Sequence, residues 1–293
     1  VFKDKVLLIT GGTGFVGSKV VEKLAIDANR ILVLSRSRRE KHNNVAYIGR
    51  DELYHVFEEG IDVVIHIATE YGRANNSPSI EATNYDLPSY LLKLSEIFGV
   101  KLFLNTDSFY VLHKHTFRHM HEYIKTKEMF KKKLFDRPNS GFKRINVILS
   151  HVCGAGDNFE KFFPWVVDEI CAGKKVRLSE CLQELDFIDV EDVADAYSVI
   201  IRNIETIQDR DEYEVGTGNV IQLRVVIEKL LTFINKKIDI NENILLFGEN
   251  SAGNIEGTFR ADTKNIKNLG WQSRKLIDDS LLEMVAERLG KFD

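Results

Sequence analysis

The amino-acid sequence predicts an α/β fold in which helices cover both faces of one parallel sheet, the doubly wound arrangement. In the N-terminal half, apolar runs typical of strands alternate five times with segments of helical pattern. The runs are continuous, which suits parallel strands that are buried on both faces. The first run is followed by glycines three apart and then by a helical pattern. Sheets of this kind bind their ligands beyond the carboxyl ends of the strands.

The first strand begins at residue 6 and passes into a helix through a glycine-rich turn. Glycine lets the backbone turn sharply and approach a pyrophosphate, whose oxygens then face the amide groups at the start of the helix. A surface turn also collects glycine, but a strand before the turn and a helix after it favour a dinucleotide site. The residues expected to form this cradle are Gly11, Thr13, Gly14, Phe15, Val16 and Gly17.

The second strand, residues 30–34, is followed by serines and arginines and by no acidic residue. An acidic residue at this position would hold the ribose 2′-hydroxyl of NAD, whereas an arginine accommodates the 2′-phosphate of NADP. Ser35 and Arg36 therefore predict NADP(H) as the cofactor. The alternative is that the arginines only form a solvated loop.

A short third strand over residues 45–48 and a helix over 52–59 come next. The fourth strand, residues 62–69, ends in Ala68 and Thr69, which we expect to contact the cofactor. The loop that follows should lie at the cofactor crevice.

A long helix is predicted over residues 79–98, with Asn84 in its first half, and a fifth strand over 100–104. Residues 105–110 then place hydroxyls and a carboxylate at the end of that strand. Tyr110 is expected to close it.

The helix predicted to start near residue 121 carries Tyr123 and Lys127, four residues apart on one face. Such a pair suits proton transfer, because an adjacent ammonium should lower the pKa of a phenol towards the working range. Tyr110 and Lys114 have the same spacing. We favour Tyr123 and Lys127 because the helical periodicity continues to Leu134, whereas Tyr110 precedes a loop.

That loop and the start of the helix are rich in histidine, which raises the alternative of a metal site. We predict no metal, because no defined ligand spacing with cysteine or carboxylate partners is evident. A loop lining the substrate cleft is the favoured interpretation. The histidines are His113, His115, His119 and His121.

Further elements are predicted over residues 145–149, 162–172, 186–190, 191–197 and 212–218. We predict that residues 1–155 form a Rossmann-like domain that binds NADP, with later segments near 183–205 returning to it. Residues 156–293 are expected to form mainly a smaller, mixed α/β lobe that binds the substrate.

The chain has 293 residues, of which 29% are charged, and a formal net charge of -4. These values are typical of a globular protein and provide no electrostatic footprint for nucleic acid. No apolar segment approaches membrane-spanning length and no signal-peptide pattern opens the sequence, so we expect a cytoplasmic protein that binds no membrane. Cys153, Cys171 and Cys181 are irregularly spaced and are expected to be reduced thiols.

Several segments together resemble an extended short-chain dehydrogenase/reductase, of the NAD-dependent epimerase/dehydratase family that modifies nucleotide-activated sugars. They are residues 10–17, 62–69, 123–127 and 186–194. Within that family, other segments are most similar to the synthases of CDP-abequose and CDP-paratose, which reduce CDP-4-keto-3,6-dideoxyglucose. These are residues 68–72, 103–109, 119–120 and 213–218.

The resemblance implies hydride transfer from NADPH to the C4 ketone of a nucleotide-linked 4-keto-6-deoxy or 3,6-dideoxy hexose, a sugar for surface polysaccharides such as lipopolysaccharide. Tyr123 would supply the proton of the new hydroxyl. Lys127 would hold the nicotinamide ribose and tune Tyr123, and Thr106 would hydrogen-bond the carbonyl oxygen, where charge develops. The residues implied to bind the sugar nucleotide are Glu70, Tyr71, Asp107, Ser108, His119, His151 and Asn158. A homodimer formed through the helices near 79–98 and 121–135 is also implied.

Departures from the family pattern bear on the reaction and the substrate. Dehydratases of similar sequence follow the threonine with Asp-Glu, but Ser108 replaces the second acid here, which favours reduction over elimination. Ile148 and Leu185 replace two arginines of the family, the second of which commonly contacts the diphosphate. An NADP-dependent reductase of a non-nucleotide carbonyl compound and a non-catalytic NADP-binding sensor therefore remain alternatives. The sequence leaves open whether the nucleotide is CDP, dTDP, GDP or UDP.

Overall fold

The structure is a computed structural model that describes residues 2–37, 40–72, 77–136, 141–240, 242–250 and 255–290. The chain divides into two compact units. The first comprises Val1–Leu149, Val193–Val215 and Lys264–Trp271. The second comprises Ser150–Asp192, Gly216–Thr263 and Gln272–Asp293.

Strands and helices follow one another along the described chain. The strands are β1 (Val6–Thr10), β2 (Arg30–Leu34), β3 (Val45–Ile48), β4 (Val63–His66), β5 (Leu102–Ser108), β6 (Lys143–Leu149), β7 (His151–Cys153), β8 (Val176–Arg177), β9 (Glu184–Leu185), β10 (Phe187–Asp189), β11 (Glu212–Val215), β12 (Ile221–Gln222), β13 (Leu245–Leu246) and β14 (Thr258–Phe259). The helices are α1 (Phe15–Ala25), α2 (Leu53–Glu59), α3 (Ser77–Glu81), α4 (Leu87–Phe98), α5 (Phe109–Leu112), α6 (His121–Phe135), α7 (Phe162–Cys171), α8 (Val190–Arg202), α9 (Leu223–Asn235), α10 (Lys264–Asn268) and α11 (Ile277–Leu289). None of the helices in these described ranges has the length and apolar character needed to cross a membrane.

Seven strands of the first unit form one sheet in the order β11-β6-β5-β4-β1-β2-β3, and every neighbouring pair is parallel. The strand order changes direction between β1 and β4, which is where a doubly wound sheet binds its ligands. The predicted doubly wound α/β fold is therefore confirmed.

Helices α2, α4 and α6 bury their apolar faces in one cluster with the sheet. Its buried members include Leu8, Leu32, Phe57, Val64, Leu91, Phe103, Phe130 and Leu134. Complete burial of such a side chain stabilises the fold by about 2 kcal/mol relative to exposure. Because Phe130 and Leu134 belong to α6, this cluster fixes the helix that carries Tyr123 and Lys127.

The fifth strand continues four residues beyond its predicted end and reaches Ser108. The Asn105 amide donates to Asn146 Oδ1 at 2.7 Å, and the Asn146 amide donates to Asp107 Oδ2 at 3.3 Å. These hydrogen bonds join the side chains of β5 and β6, so polar residues continue a buried strand. The prediction ended the strand too early because it followed the apolar run alone.

The chain turns into α5 directly after Ser108, so Tyr110 lies in a short helix and the prediction that it closes a strand is wrong. Ser108 Oγ accepts the Tyr110 N–H at 3.4 Å as the N-terminal cap of α5. The helix predicted over 79–98 also differs from expectation, because a π-helical turn, Ala82–Asp86, interrupts it. The turn contains Asn84, whose contacts are described below.

In the described part of the second unit, β7 pairs with β10, β12-β9-β14 form a three-stranded sheet, and β13 pairs with β8. A buried carboxylate, Asp186, holds one loop of this unit. Its Oδ1 accepts the Thr217 N–H and hydroxyl, each at 2.8 Å, and its Oδ2 accepts the N–H groups of Gly218 at 2.9 Å and Ala261 at 3.2 Å. The assignment of the C-terminal half to substrate binding stays a prediction.

Arg144, at the start of β6, is fully buried and paired with Asp209. Its Nε donates to Asp209 Oδ1 at 3.0 Å, and one of its terminal nitrogens donates to Oδ2. Burial opposes the ionisation of Asp209, but the hydrogen bonds and charge of Arg144 outweigh it and lower the pKa of this carboxyl.

We expect Asp209→Asn to lower the free energy of unfolding at neutral pH by about 3 kcal/mol, because it leaves a buried guanidinium without its counter-charge. The folded-state pKa of Asp209 lies below the unfolded one, so its stabilisation is present above the unfolded pKa and is lost as the pH falls through the folded pKa. The difference between parent and variant should therefore shrink on acidification. Urea unfolding at a series of pH values measures this.

The control is Lys101→Gln, which removes the exposed pair between Lys101 and Asp62. Its expected cost is below about 1 kcal/mol. If both variants cost the same at neutral pH, the Arg144–Asp209 pair does not have the proposed role in stability.

Candidate active site

The glycine turn between β1 and α1 leaves no room for side chains. Gly11 has a φ of 71°, and a Cβ on it would lie 2.5 Å from the Ala68 nitrogen. A Cβ on Gly17 would lie 2.0 Å from the Gly11 carbonyl oxygen. Gly14 caps the 11-residue α1 with an extended backbone and no side-chain hydrogen bond. The amides of the first helical turn are thus presented to an anion, and the turn fits the pyrophosphate of a dinucleotide.

The ends of β1 and β4 are joined by side chains that sequence reasoning assigned no role. Thr10 Oγ1 and His66 Nδ1 are 2.8 Å apart, and the Ala68 N–H donates to the Thr10 hydroxyl at 3.2 Å. Burial and the charge of Lys127 lower the pKa of His66 well below its usual value, so this imidazole is neutral. The contacts hold Ala68 against Gly11, as the predicted cradle requires.

Ser35 and Arg36 lie directly after β2, the neighbour of β1 in the sheet. The Ser35 N–H donates to the Ile48 carbonyl at 3.0 Å, and Ser35 Oγ accepts the Ser37 N–H at 3.3 Å. Arg36 is exposed. The neighbouring arginines, residues 38 and 39, lie outside the described residues.

Tyr123 and Lys127 are both buried on α6, with exposed fractions of 3% and 2%. Lys127 Nζ donates to the main-chain oxygen of Thr106 at 2.8 Å and lies 5.9 Å from the centroid of the Tyr123 ring. The residues of the competing pair have other contacts. Lys114 forms an exposed salt bridge with Glu128 at 2.6 Å, and Tyr110 packs edge-on against Tyr123 with ring centroids 6.3 Å apart.

Tyr123 is enclosed by polar and aromatic groups at the ends of β4 and β5. The ring of Tyr71 stacks on it, with ring centroids 4.9 Å apart. Burial, together with Tyr71 and Asp107, raises the pKa of Tyr123 well above its usual value, although the side chains of Ser108 and Thr69 oppose this.

The expectation that Lys127 lowers the pKa of Tyr123 is therefore wrong for this structure. The ammonium donates to a main-chain carbonyl, and burial of the phenol dominates. A consequence is that Tyr123 keeps its proton at neutral pH, the form in which it can act as an acid.

Thr106 is buried in β5, and its side chain contacts α8. Its hydroxyl lies 2.5 Å from the Tyr197 hydroxyl of α8, and both side chains are buried. Thr106 reaches the Tyr123–Lys127 pair through its main-chain oxygen. The role expected for the Thr106 hydroxyl, a hydrogen bond to the substrate carbonyl, stays a prediction.

Asp107, which was expected to bind substrate, is part of a buried network beside Lys127. Its Oδ1 accepts the Ser108 N–H at 2.8 Å, and Asn146 bridges its Oδ2 to Glu212 Oε2, which lies 2.8 Å from the Asn146 amide. Burial raises the pKa of Asp107, and the Lys127 charge opposes that change. Burial lowers the pKa of Lys127 to about 8, and Asp107 opposes that. At neutral pH Lys127 is therefore mostly protonated.

Asn84 fixes the turn after β4 that carries Thr69 and Glu70. Its Oδ1 accepts the Glu70 N–H and its Nδ2 donates to the Glu70 carbonyl, both at 2.9 Å. Nδ2 also donates to Thr126 Oγ1 at 3.2 Å, which joins this turn to α6. The sequence offered one signal for Asn84, a lone amide in a helical pattern, and the π turn that contains it is a feature frequent at functional sites.

The assignment of His119, His151 and Asn158 to substrate binding stays a prediction. His119 is exposed, and its ring lies 6.2 Å from Phe117. His151 and Asn158 belong to the second unit, where the His151 ring lies 5.5 Å from Phe187 and Asn158 Oδ1 accepts the Glu160 N–H at 3.1 Å. Within the described ranges, no group of three or more His, Cys, Asp or Glu side chains could hold a metal ion.

A model of the NAD dependent epimerase/dehydratase family matches residues 7–216. The CDP-abequose synthase of Salmonella typhimurium is 32% identical over 286 residues, covering 92% of this chain and 94% of that protein. The structure of UDP-glucose 4-epimerase from Thermotoga maritima with UDP-glucose superposes with a TM-score of 0.82 at 19% identity, covering 98% of this chain and 100% of that one. UDP-glucose-4-epimerase from Stenotrophomonas maltophila, with bound NAD and formylated UDP-arabinopyranose, gives 0.82 at 18% identity, covering 98% and 99%. The structural likenesses show a shared fold, and the family resemblance drawn from the sequence is confirmed.

We expect Gly17→Ala to weaken the binding of a nicotinamide dinucleotide by at least about tenfold, because its Cβ would push the Gly11 carbonyl out of the turn that approaches the pyrophosphate. Fluorescence titration with NADPH measures the affinity. The matched control is Gly290→Ala, where the new Cβ meets its nearest atom at 3.5 Å, and binding should be unaffected. Normal affinity in a folded Gly17→Ala protein would contradict the cradle.

Proposed function

The chain belongs to the NAD dependent epimerase/dehydratase family, and from this premise we propose that it reduces the C4 ketone of a nucleotide-linked 4-keto-6-deoxy or 3,6-dideoxy hexose with NADPH. The observation that carries the proposal is the buried, protonated Tyr123 beside the buried ammonium of Lys127. A proton donor and a fixed positive charge are what a carbonyl needs as it gains a hydride.

The cofactor is proposed to be NADP(H), held at its pyrophosphate by Gly11, Gly14 and Gly17. The turn supports a dinucleotide because a Cβ on Gly11 or Gly17 would collide with its backbone, so the backbone there is kept free for the pyrophosphate. Support for the 2′-phosphate comes from Ser35 and the exposed Arg36 at the end of β2. When bound, the nicotinamide supplies or accepts the hydride.

On reduction, the carbonyl carbon gains a hydride with its electron pair, and the π electrons of the C–O bond become a lone pair on oxygen. Tyr123 donates its proton to that oxygen and completes the hydroxyl group. The ammonium of Lys127, which donates to the Thr106 carbonyl, is proposed to hold the nicotinamide ribose. The raised pKa of Tyr123 keeps its hydroxyl protonated before the reaction.

The substrate class is proposed from the CDP-abequose synthase relative, which shares 32% identity over almost the whole chain. A nucleotide-linked deoxyhexose for surface polysaccharide is the corresponding proposal here. Reduction is favoured over elimination because Asp107 is followed by Ser108 and not by a second acid. Glu70, Tyr71, Asp107 and Ser108 lie on the first unit with Tyr123 and stay the proposed substrate contacts, as do His119, His151 and Asn158.

Two buried apolar residues keep a second candidate function open. Ile148 and Leu185, at positions where the family has arginines, are 5% and 4% exposed and bring no charge to a diphosphate. A non-nucleotide carbonyl compound is the corresponding alternative substrate. A homodimer and a cytoplasmic location remain part of the proposal.

Arg36→Ala should lower kcat/KM for NADPH by about 10- to 100-fold, the effect of losing a hydrogen bond to a charged group, while activity with NADH changes little. Arg30→Ala at the opposite end of β2 makes the same charge change away from the cradle and is the control. Steady-state kinetics with both cofactors measures the ratio. An unchanged preference in Arg36→Ala would remove this residue from cofactor selection.

Tyr123→Phe should leave NADPH affinity intact and lower turnover of CDP-4-keto-3,6-dideoxyglucose by about a thousandfold, the contribution of a positioned proton donor. Tyr110→Phe, in the neighbouring ring, is the matched control and should retain turnover. If the two variants are equally active, Tyr123 is not the acid. Calorimetric titration with CDP, dTDP, UDP and GDP in the presence of NADP tests the nucleotide, and binding of none would favour the alternative substrate.

A further inference from the structure

We propose that Asn146, a buried amide on β6, is a positioning residue for the reduction, because it holds the carboxylate of Asp107 in place as the counter-charge of the Lys127 ammonium. The inference rests on the proposed reductase function and adds a residue to which sequence reasoning assigned no role. It follows from the hydrogen bonds that join the side chains of β5, β6 and β11.

The side chain of Asn146 is fully hydrogen-bonded and has a fixed orientation. Its Nδ2 donates to Asp107 Oδ2 at 3.3 Å and to Glu212 Oε2 at 2.8 Å, which accounts for both amide protons. Its Oδ1 accepts from Asn105 Nδ2 at 2.7 Å. Because Glu212 is paired with Lys131 at 2.6 Å, its carboxylate can only accept, so the nitrogen of the amide must face it. The other proton of the same nitrogen is thereby directed at Asp107.

Asp107 lies on the face of β5 that packs against α6. Alternate residues of a strand share a face, and two positions before Asn105 on this face Phe103 packs against Phe130, with ring centroids 6.0 Å apart. Lys127 lies one turn before Phe130 on α6, and its Nζ donates at 2.8 Å to the Thr106 carbonyl, which belongs to the peptide bond that leads into Asp107. The ammonium and the carboxylate are therefore placed at the end of the same strand.

Both charges are removed from water, since Lys127 is 2% and Asp107 is 3% exposed. Burial lowers the pKa of Lys127 to about 8, and Asp107 opposes that change. A carboxyl gives this support only while it is ionised. Burial raises the pKa of Asp107, and the hydrogen bond from Asn146 is one of the interactions that oppose the rise. Asn146 thus favours the charged form of Asp107, which in turn favours the charged form of Lys127.

Among the described residues, other titratable groups adjoin this pair from the neighbouring elements: Tyr123 and Lys131 of α6, Glu212 of β11 and His66 of β4. Burial raises the pKa of Tyr123 and lowers that of His66, so both are neutral near pH 7. Glu212 and Lys131 carry opposite charges and are paired with each other. Asp107 therefore remains as the counter-charge that supports Lys127.

The test is the pH profile of kcat/KM for the NADPH-dependent reduction of CDP-4-keto-3,6-dideoxyglucose. Its basic limb should report Lys127, because Tyr123 loses its proton only at higher pH. In Asn146→Leu, Asp107 loses its side-chain donor and binds a proton more readily, so Lys127 loses its counter-charge. We expect the basic limb to move to lower pH by about one unit, the effect of removing a nearby opposite charge.

Asn105→Leu is the matched control, because the two side chains are 1% and 0% exposed and lie side by side in neighbouring strands. It removes the hydrogen bond to Asn146 Oδ1 but leaves both amide protons of Asn146 with their acceptors. Thermal unfolding should show a loss of stability in both variants, whereas the basic limb should move only in Asn146→Leu. A basic limb that stays at the parent position in Asn146→Leu overturns the inference and leaves the reductase proposal standing.

If Asn146→Leu does not fold, Asn146→Thr, which retains one hydroxyl donor, replaces it. Its basic limb should move in the same direction by a smaller amount, and an unmoved limb overturns the inference.

If the parent protein does not reduce this sugar, the proposed substrate fails and Lys127 is titrated directly. Protein containing lysine labelled with carbon-13 at Cε is followed by NMR in the presence of NADP, and the Lys127 signal is identified by its loss in Lys127→Met. The pKa of Lys127 should be lower in Asn146→Leu than in the parent and unchanged in Asn105→Leu. Equal pKa values in the parent and Asn146→Leu would overturn the inference.

Discussion

A buried ammonium group is the constraint on which the rest of the candidate site depends. Lys127 is 2% exposed, and a charge taken out of water must be paired and hydrogen-bonded. It therefore needs the Thr106 carbonyl at 2.8 Å and the nearby carboxylate of Asp107. Asp107 is itself buried and needs the Ser108 N–H and the Asn146 amide. These contacts connect β5 to β6.

Polar residues also lie side by side in neighbouring strands of the sheet. Backbone register places Thr10 beside His66, His66 beside Asn105, Asn105 beside Asn146 and Asn146 beside Glu212. Five neighbouring strands thus each contribute one polar residue to a continuous row across the sheet. At the end of this row, Glu212 forms a salt bridge with Lys131 at 2.6 Å near the surface. Below this row, apolar residues of β1, β2, β4 and β5 pack against α2, α4 and α6. The polar residues therefore lie towards the carboxyl ends of the strands, which is the edge of the sheet where the candidate site is located.

The fold by itself does not distinguish an epimerase from a reductase, since function resides in the groups placed on the fold. What distinguishes this chain is the set of groups around Tyr123, namely one carboxylate, Asp107, and the hydroxyls of Ser108 and Thr69, under the stacked ring of Tyr71. Tyr123 is a proton donor that is protonated at neutral pH, and no second acidic residue directly follows Asp107. That arrangement suits the addition of a hydride and a proton to a carbonyl better than the removal of water.

The sequence by itself determined the doubly wound fold, the glycine cradle and the pairing of Tyr123 with Lys127. These features depend on residues a few positions apart, whose periodicity and spacing are visible along the chain. Only the tertiary structure decided which partner the Thr106 hydroxyl contacts and in which direction the pKa of Tyr123 moves. Thr106 is bonded to Tyr197, 91 residues away, and Thr69 to Asn84, 15 residues away. Tyr123 is likewise buried by residues that are distant from it in the sequence, including Tyr71 and residues at the ends of β4 and β5. Hydrogen-bond direction and desolvation depend on groups that folding brings together, so neither could be inferred from the order of residues alone.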